Sequence, residues 1–240
     1  MAEIEIASYE CRPDARTLTE RATFVVTDYP TGTDEALLTY AAELKTGRQD
    51  VAAAFPDRLP TVHPVQEMAR PLLDPFHNVM LSTTKLYFPL HTDEYFAKSP
   101  SRFVLLLCLI PAEIGGTTLV AHIDGIAADL DAETRIALMK PIYPTQVGPR
   151  PLLEETADGL SIRFNELEVM RAKEFNQQFL PLPEESRRAI AQLRAAAERR
   201  TRRYDLKTGD CLVIHNHRTL HGRTAFSGSA HRLMKRVRIK

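Results

Sequence analysis

The sequence predicts a single mixed α/β domain, mainly β, built as a sandwich or barrel. Three observations predict it. The chain has 240 residues, 44% of them apolar, enough for one sizeable hydrophobic core. From residue 78 onward, short apolar or alternating runs recur between Pro and Gly, the texture of many short strands. One long helical pattern, residues 184–203, interrupts these runs before the last of them.

Taken in order, residues 22–27 (Ala-Thr-Phe-Val-Val-Thr) form the first strand signal. Residues 34–44 read as a helix with Thr33 as its cap. Residues 55–78 carry five prolines, Pro56, Pro60, Pro64, Pro71 and Pro75, and read as an irregular surface segment that can supply a lid. Strands are expected at 79–81, 86–90, 103–110, 117–122, 161–164, 211–214 and 232–239, with a short helix at 131–139. In the 184–203 helix, Ala189, Ile190, Leu193, Ala196 and Ala197 fall at helical spacing. Its seven arginines read as a solvated face, with Glu184 and Glu185 at the positive N-terminal end and most arginines towards the C-terminal end. The division expected is a strand-rich core over about 78–240 with an α/β flank over 1–77.

Acidic and basic residues balance at 31 each, so no global charge favours nucleic acid or a membrane surface. The first ten residues lack the basic and apolar regions of a signal peptide, and the longest apolar run, 103–111, is too short to span a bilayer. Cys11, Cys108 and Cys211 are widely spaced, and the last two lie in apolar runs; they read as reduced, mostly buried thiols in a cytoplasmic setting. The partner expected is a small molecule; the oligomeric state is left open.

Two stretches carry chemistry. In Leu86-Tyr-Phe-Pro-Leu-His-Thr-Asp-Glu-Tyr-Phe96, His91 and Asp93 are two apart, which at a strand end puts both side chains on one face. In the run from Gly209 to Phe226, His221 follows the buried strand 211–214. Two imidazoles and one carboxylate make a facial set that leaves three positions of an octahedral iron(II) open. Alternation in the last strand puts Arg232, Met234, Arg236 and Arg238 on one face. A planar guanidinium there suits a carboxylate. Each piece alone also fits a bland reading: a surface His-x-Asp, a solvated basic tail. A cupin-like metal enzyme of another class, or a non-catalytic barrel that binds a small ligand, remains an alternative.

Four segments in order resemble the taurine dioxygenase, γ-butyrobetaine hydroxylase and clavaminate synthase superfamily of iron/2-oxoglutarate oxygenases. They are His91-Thr-Asp93, Gly115-Gly-Thr-Thr118, Asn216-His-Arg-Thr-Leu-His-Gly-Arg223, and Arg232 eleven residues after His221. The resemblance runs from about residue 78 to the C-terminus and implies a double-stranded β-helix, or jelly-roll, with flanking helices. It implies iron(II) on His91, Asp93 and His221, and the distal carboxylate of 2-oxoglutarate on Arg232 with help from Thr118. O2 is the third participant, and succinate and CO2 are released as an unactivated C–H bond is hydroxylated. Asp93, a carboxylate where halogenating relatives have a small residue, favours hydroxylation or another oxidative outcome. Asn216 is expected to orient the site from behind. Glu94, Arg236, Arg223 and Asn78 are candidates for substrate contact, with Glu67 and Ser82 as further polar groups near the lid; Tyr87, Phe88, Tyr95 and Phe96 are expected to pack the barrel. A free amino acid or an amino-acid derivative is the substrate class that the nearest branch of that superfamily implies.

Overall fold

Local signals start most helices. Asp14 and Asp131 accept hydrogen bonds from Thr17 N–H and Thr134 N–H, which caps α1 (Ala15–Arg21) and α5 (Ala132–Met139). Helix α2 (Glu35–Thr46) ends on Gly47 in the left-handed conformation, whose N–H bonds back to Glu43 O. Its cap is Asp34, not Thr33, and no side chain closes the first turn. The other helices are α3 (Val51–Ala54), α4 (Ile123–Ala128), α6 (Glu166–Phe175) and α7 (Glu184–Arg199).

The strands are β1 (Glu5–Ser8), β2 (Thr23–Thr27), β3 (His63–Gln66), β4 (Phe88–His91), β5 (Phe103–Ile110), β6 (Ile114–Gly115) and β7 (Thr118–His122). They continue with β8 (Leu153–Thr156), β9 (Gly159–Ile162), β10 (Arg202–Tyr204), β11 (Cys211–His215), β12 (Thr219–Arg223), β13 (Phe226–Ser227) and β14 (Leu233–Ile239). The structure, a computed structural model, describes residues 4–73, 79–175, 181–229 and 231–240.

Two sheets carry the fold. One has six strands in the order β1-β2-β11-β5-β14-β3; the other has four, β10-β7-β12-β4. Two two-stranded pairs, β13-β6 and β8-β9, complete the set. The fold is mixed α/β and strand-rich. The N-terminal flank is not a separate layer, because β1, β2 and β3 extend the six-stranded sheet.

Alternation assigns each strand face to a different core. On β5, Phe103, Leu105 and Leu107 pack with Leu18, Leu37, Tyr40 and Ala41 of α1 and α2. The opposite face gives Val104, which joins Val25, Leu212 and Ile214 of the same sheet and Val120 of the four-stranded one. The two sheets therefore face each other across a thin apolar layer. Behind the four-stranded sheet, Leu119, Ala121 and Leu220 pack on α4, α5 and α7. Strands β5 and β11 are covered on both faces, which is why their sequences are unbroken apolar runs. Ile190 and Leu193 of α7 are fully enclosed, a contribution of roughly 1.5–3 kcal/mol each.

Several expectations change. The long helix stops at Arg199, not at 203, because Arg202–Tyr204 pair with β7 as an edge strand. Tertiary pairing outbids helix propensity there. Residues 79–81 are not a strand: Val79 makes one bridge to Leu73, and Leu81–Thr83 is a 3-10 turn. The proline-rich segment is not wholly irregular, since 63–66 line up on β14; Pro64 sits on an edge strand, where its missing N–H is tolerated. His221 follows β11 as expected, but it lies inside a further strand, β12, which the sequence pattern hides. Cys108 and Cys211 are buried free thiols and Cys11 is exposed. No helix among the described residues is long and apolar enough to cross a membrane.

Candidate metal centre

His91 and His221 sit opposite each other on neighbouring antiparallel strands, β4 and β12. Their ring centroids are 4.5 Å apart. The strands approach this closely because residue 222 is glycine: a β-carbon there would lie 2.6 Å from Phe88 O and 3.0 Å from Pro89 C and O. A register shift between His221 and Arg223 turns Phe88 to the same side as His91, and the two rings stack at 4.0 Å.

Asp93 reaches the pair by a route other than strand alternation. Strand β4 ends at His91, and the chain turns. Asn216, wholly buried, holds that turn: Asp93 N–H donates to Asn216 Oδ1 at 2.8 Å, and Asn216 Nδ2 donates to Asp93 O and Ser101 O at 3.1 and 2.9 Å. The amide thus stands in for a neighbouring strand. Asp93 Oδ1 then lies 3.5 Å from both His91 Nε2 and His221 Nε2. All three side chains are buried and offer ligand atoms within 4.8 Å of one another.

This donor set fits one divalent transition metal. Two donors each about 2.1 Å from one ion and at right angles lie about 3 Å apart, close to the spacing here. His91 Nδ1 is 2.9 Å from Pro89 O, so it carries the proton and leaves the Nε2 lone pair for a ligand. Burial, then the neighbouring His91, depress the His221 pKa to about 4 against the pull of Asp93, so the ring is neutral at pH 7. For Asp93, burial is the largest influence and acts to raise its pKa. Arg236, His221, His91 and Arg238 together outweigh it and hold the carboxylate well below its usual range.

The other oxygen of Asp93 faces β14. Arg238 Nε donates to Oδ2 at 2.6 Å, and Arg236 Nη1 lies 3.3 Å from the same atom. The expected alternation of Arg232, Met234, Arg236 and Arg238 holds: Arg232, Met234 and Arg236 line a cavity between the sheets, and Arg238 joins Arg236 at its mouth. Alternation alone puts Arg238 on that face; its approach to Asp93 depends on the turn after β4. Phe88, expected only to pack, is a wall of the site.

Two spaces adjoin the cluster. An inner one of about 50 Å³ is lined by His91, His221, Thr118, Arg232 and Arg236. An outer one of about 400 Å³ is lined by Val79–Ser82, Phe88, Asp93, Leu167, Arg236 and Arg238. They share Ser82, Phe88, His91 and Arg236 as walls. Arg232 is 8% exposed, and its guanidinium stands 5.8 Å from the Phe226 ring. No carboxylate among the described residues pairs with it, and burial lowers its pKa. Behind it, Gly115 and Gly116 both have positive φ, and a β-carbon on Gly115 would meet Ala225 O at 2.4 Å, so this Gly-Gly step admits no side chain.

Two candidate substrate residues are employed otherwise. Arg223 donates to Leu86 O at 2.6 Å and Leu81 O at 2.9 Å, and to Thr84 O, which leaves it pinning the 81–86 segment from behind. Glu94, at φ 59°, turns its carboxylate to Ser101, whose N–H and Oγ donate at 2.8 and 2.6 Å. Glu67 pairs with Lys85 at 3.2 Å. Asn78 lies outside the described residues. His215 and His217 stack edge-on, 5.8 Å apart, away from the cluster.

The chain matches the taurine catabolism dioxygenase TauD, TfdA family over residues 12–238. No curated protein matches it in sequence. Among solved structures, the asparagine oxygenase complex with Fe(II), 2S,3S-3-hydroxyasparagine and succinate has a TM-score of 0.66 at 17% identity, over 94% of this chain and 77% of that one. The non-heme iron oxygenase OrfP with Fe, succinate and (3R,4R)-dihydroxy-L-Arg has a TM-score of 0.67 at 20% identity, over 93% and 77%. OrfP with Fe and alpha-ketoglutaric acid has a TM-score of 0.65 at 22% identity, over 93% and 76%. At such identities the likeness is one of fold. The family match, by contrast, covers nearly all of both sheets and every residue of the cluster, and the chain belongs to the taurine catabolism dioxygenase TauD, TfdA family.

Proposed function

We propose that this dioxygenase uses iron(II) and 2-oxoglutarate to hydroxylate an unactivated C–H bond of a free amino acid or a small amino-acid derivative. In this reading the two facing sheets are the halves of a double-stranded β-helix, and residues 1–240 act as one domain. His91, Asp93 and His221 hold the metal; Arg232 and Thr118 hold the distal carboxylate of 2-oxoglutarate. Iron with 2-oxoglutarate and O2 supplies the oxidising chemistry: one oxygen atom enters the substrate, the other enters succinate, and CO2 leaves.

The chain's own residues supply position and charge. Asn216 fixes the Asp93 backbone, and Pro89 O fixes the His91 tautomer. Arg236 and Arg238 occupy Asp93 Oδ2, so that Oδ1 is left for the metal. Phe88, stacked on His91, keeps water from one side of the imidazole.

The observation that carries the reading is Arg232. A buried guanidinium with no carboxylate partner is costly in a folded chain, and here it faces the inner cavity beside Thr118, behind the His-Asp-His cluster. A dicarboxylate cosubstrate removes that cost on binding. A zinc hydrolase on a similar barrel has no use for such a cation. The test is a screen of amino acids and small metabolites for substrate-stimulated succinate release with iron(II) and 2-oxoglutarate. One compound should gain the mass of an oxygen atom, and Asp93→Ala should abolish its turnover; retained turnover in Asp93→Ala would overturn the assignment.

A further inference from the structure

A third cavity, of about 320 Å³, is lined by the β8–β9 hairpin and by the turn after β4. Strand alternation builds the hairpin side. Leu153 and Ile162 pair across β8 and β9 and are buried in the core. Glu154 and Ser161, the next pair, line the cavity, and Arg163 follows Ser161 at a spacing of two. Thr92, Lys98 and Asn216 line it from the turn and from β11's end.

The charge of this cavity is unbalanced. Lys98, Arg150 and Arg163 line it with one acid, Glu154. No ion pair joins any of the three cations to a carboxylate among the described residues. Arg163 donates from Nε to Tyr95 O at 2.5 Å and from Nη2 to Ala97 O; its Nη1 has no acceptor among the described residues. Burial lowers the Arg163 pKa, and the charge of Arg150 lowers it further against the pull of Tyr95 and Glu168. The two guanidiniums therefore repel each other. His217, on the same lining, is neutral at pH 7 because burial depresses its pKa.

The residues around this cavity also hold the metal cluster. Thr92 stands between His91 and Asp93. Its N–H donates to Phe164 O at 2.7 Å, and its Oγ1 accepts from Phe164 N–H at 3.0 Å. Arg163 grips the carbonyls of Tyr95 and Ala97, just beyond Asp93. Asn216 bonds the Asp93 backbone on both its N–H and its carbonyl. Whatever ties the hairpin to the turn bears on Asp93.

We propose that this cavity is a regulatory site for a small dianion, inorganic phosphate or a phosphate monoester, held by Lys98, Arg150 and Arg163 with Ser161 as a hydroxyl donor. Three cations against one acid leave two positive charges to be matched, and guanidinium forks suit phosphate oxygens. A volume of about 320 Å³ admits a phosphate with a small organic body. The bound dianion fixes the turn that presents Asp93 and adds negative charge near a site for a divalent cation. Both effects tighten metal binding, and by linkage the metal tightens phosphate binding by the same factor. The anion site stands without the oxygenase reading; its effect on the metal rests on that reading.

The test titrates inorganic phosphate into the metal-free protein by calorimetry at constant ionic strength, and repeats it on the double variant Lys98→Gln, Arg150→Gln. Both side chains are exposed and lie outside the metal cluster. The variant should therefore keep the parent's thermal midpoint and its metal affinity in the absence of phosphate. The parent should bind phosphate saturably, with a Kd of about 1 mM or below, and the variant at least ~10-fold more weakly. Saturating phosphate should tighten Mn(II) binding about fivefold or more in the parent and not in the variant. The variant, in the same buffer, corrects for phosphate that complexes the metal in solution. Absence of saturable binding, or equal binding to parent and variant, overturns the proposal. So does a metal affinity that phosphate changes alike in both. Failure of the parent to bind Mn(II) at all overturns the oxygenase reading, and the metal-free titration then decides the anion site by itself. Glycerol phosphate, compared directly with inorganic phosphate, decides between the ester and the bare ion.

Discussion

Replacing Arg232 with methionine separates a ligand-binding cation from a structural one. The guanidinium is buried, has no carboxylate partner among the described residues, and is bordered by Thr118 and Met234. Two charge-assisted hydrogen bonds to the distal carboxylate are worth about 3–5 kcal/mol together, or roughly 150- to 5,000-fold in affinity. Calorimetry of 2-oxoglutarate against the Mn(II)-loaded protein should show that loss. A five-carbon 2-oxo monoacid lacks the distal carboxylate and should bind both proteins alike. Thermal unfolding of Arg232→Met should be unchanged or slightly higher, since an uncompensated buried charge has been removed. Arg223 is the control. Its guanidinium bonds Leu81 O, Thr84 O and Leu86 O, so Arg223→Met leaves one buried and two part-buried carbonyls without their donor and should cost about 2–4 kcal/mol of stability. A less than fivefold change in 2-oxoglutarate affinity for Arg232→Met, or marked destabilisation, would refute the reasoning.

Gly222→Ala should keep the fold but weaken metal binding at least tenfold in a metal titration, because its β-carbon meets the backbone of β4 at 2.6 Å and prises His91 from His221. Asn216→Ala removes three buried hydrogen bonds around Asp93; a metal affinity 10- to 100-fold lower is expected, read in competition with a chelator. His215 has both ring nitrogens without a protein partner among the described residues, and burial, then His217, depress its pKa to about 3. The unfolded chain therefore binds a proton below pH 6.5 that the folded chain refuses until about pH 3. Stability attributable to this residue is intact above pH 6.5 and is lost as pH falls through that window. The difference in unfolding free energy between His215→Phe and the parent should grow in favour of the variant from pH 7 to pH 4, and a pH-independent difference would count against the buried neutral imidazole.

Much of the fold was legible because local signals and burial agreed. Strand β5 spans the same residues that its apolar run marks, and β11 differs by one residue. Both are covered on two faces, so periodicity and burial speak together. Strands β10 and β12 were hidden. Arg202–Tyr204 carry helix-forming arginines, and Thr219–Arg223 mixes Thr, His, Gly and Arg. Each is a strand only because a neighbour offers its backbone hydrogen bonds, as β7 does for both. The 3-10 turn at Leu81–Thr83 likewise owes its shape to Arg223 from another strand.

Sequence alone determined the donor types of the three candidate ligands, His91, Asp93 and His221, and the alternation that brings Arg232, Met234, Arg236 and Arg238 to one face, because donor chemistry and a period of two are local properties. Only the tertiary structure decided how those side chains are used. Asp93 meets the histidines through a turn held by Asn216, 123 residues away. Arg223, Arg232, Arg236 and Arg238 are alike as letters, yet one pins a loop, one faces the inner cavity with no carboxylate partner among the described residues, and two converge on a single oxygen. A guanidinium's role is set by which acceptors surround it once water is excluded, and those acceptors come from distant parts of the chain.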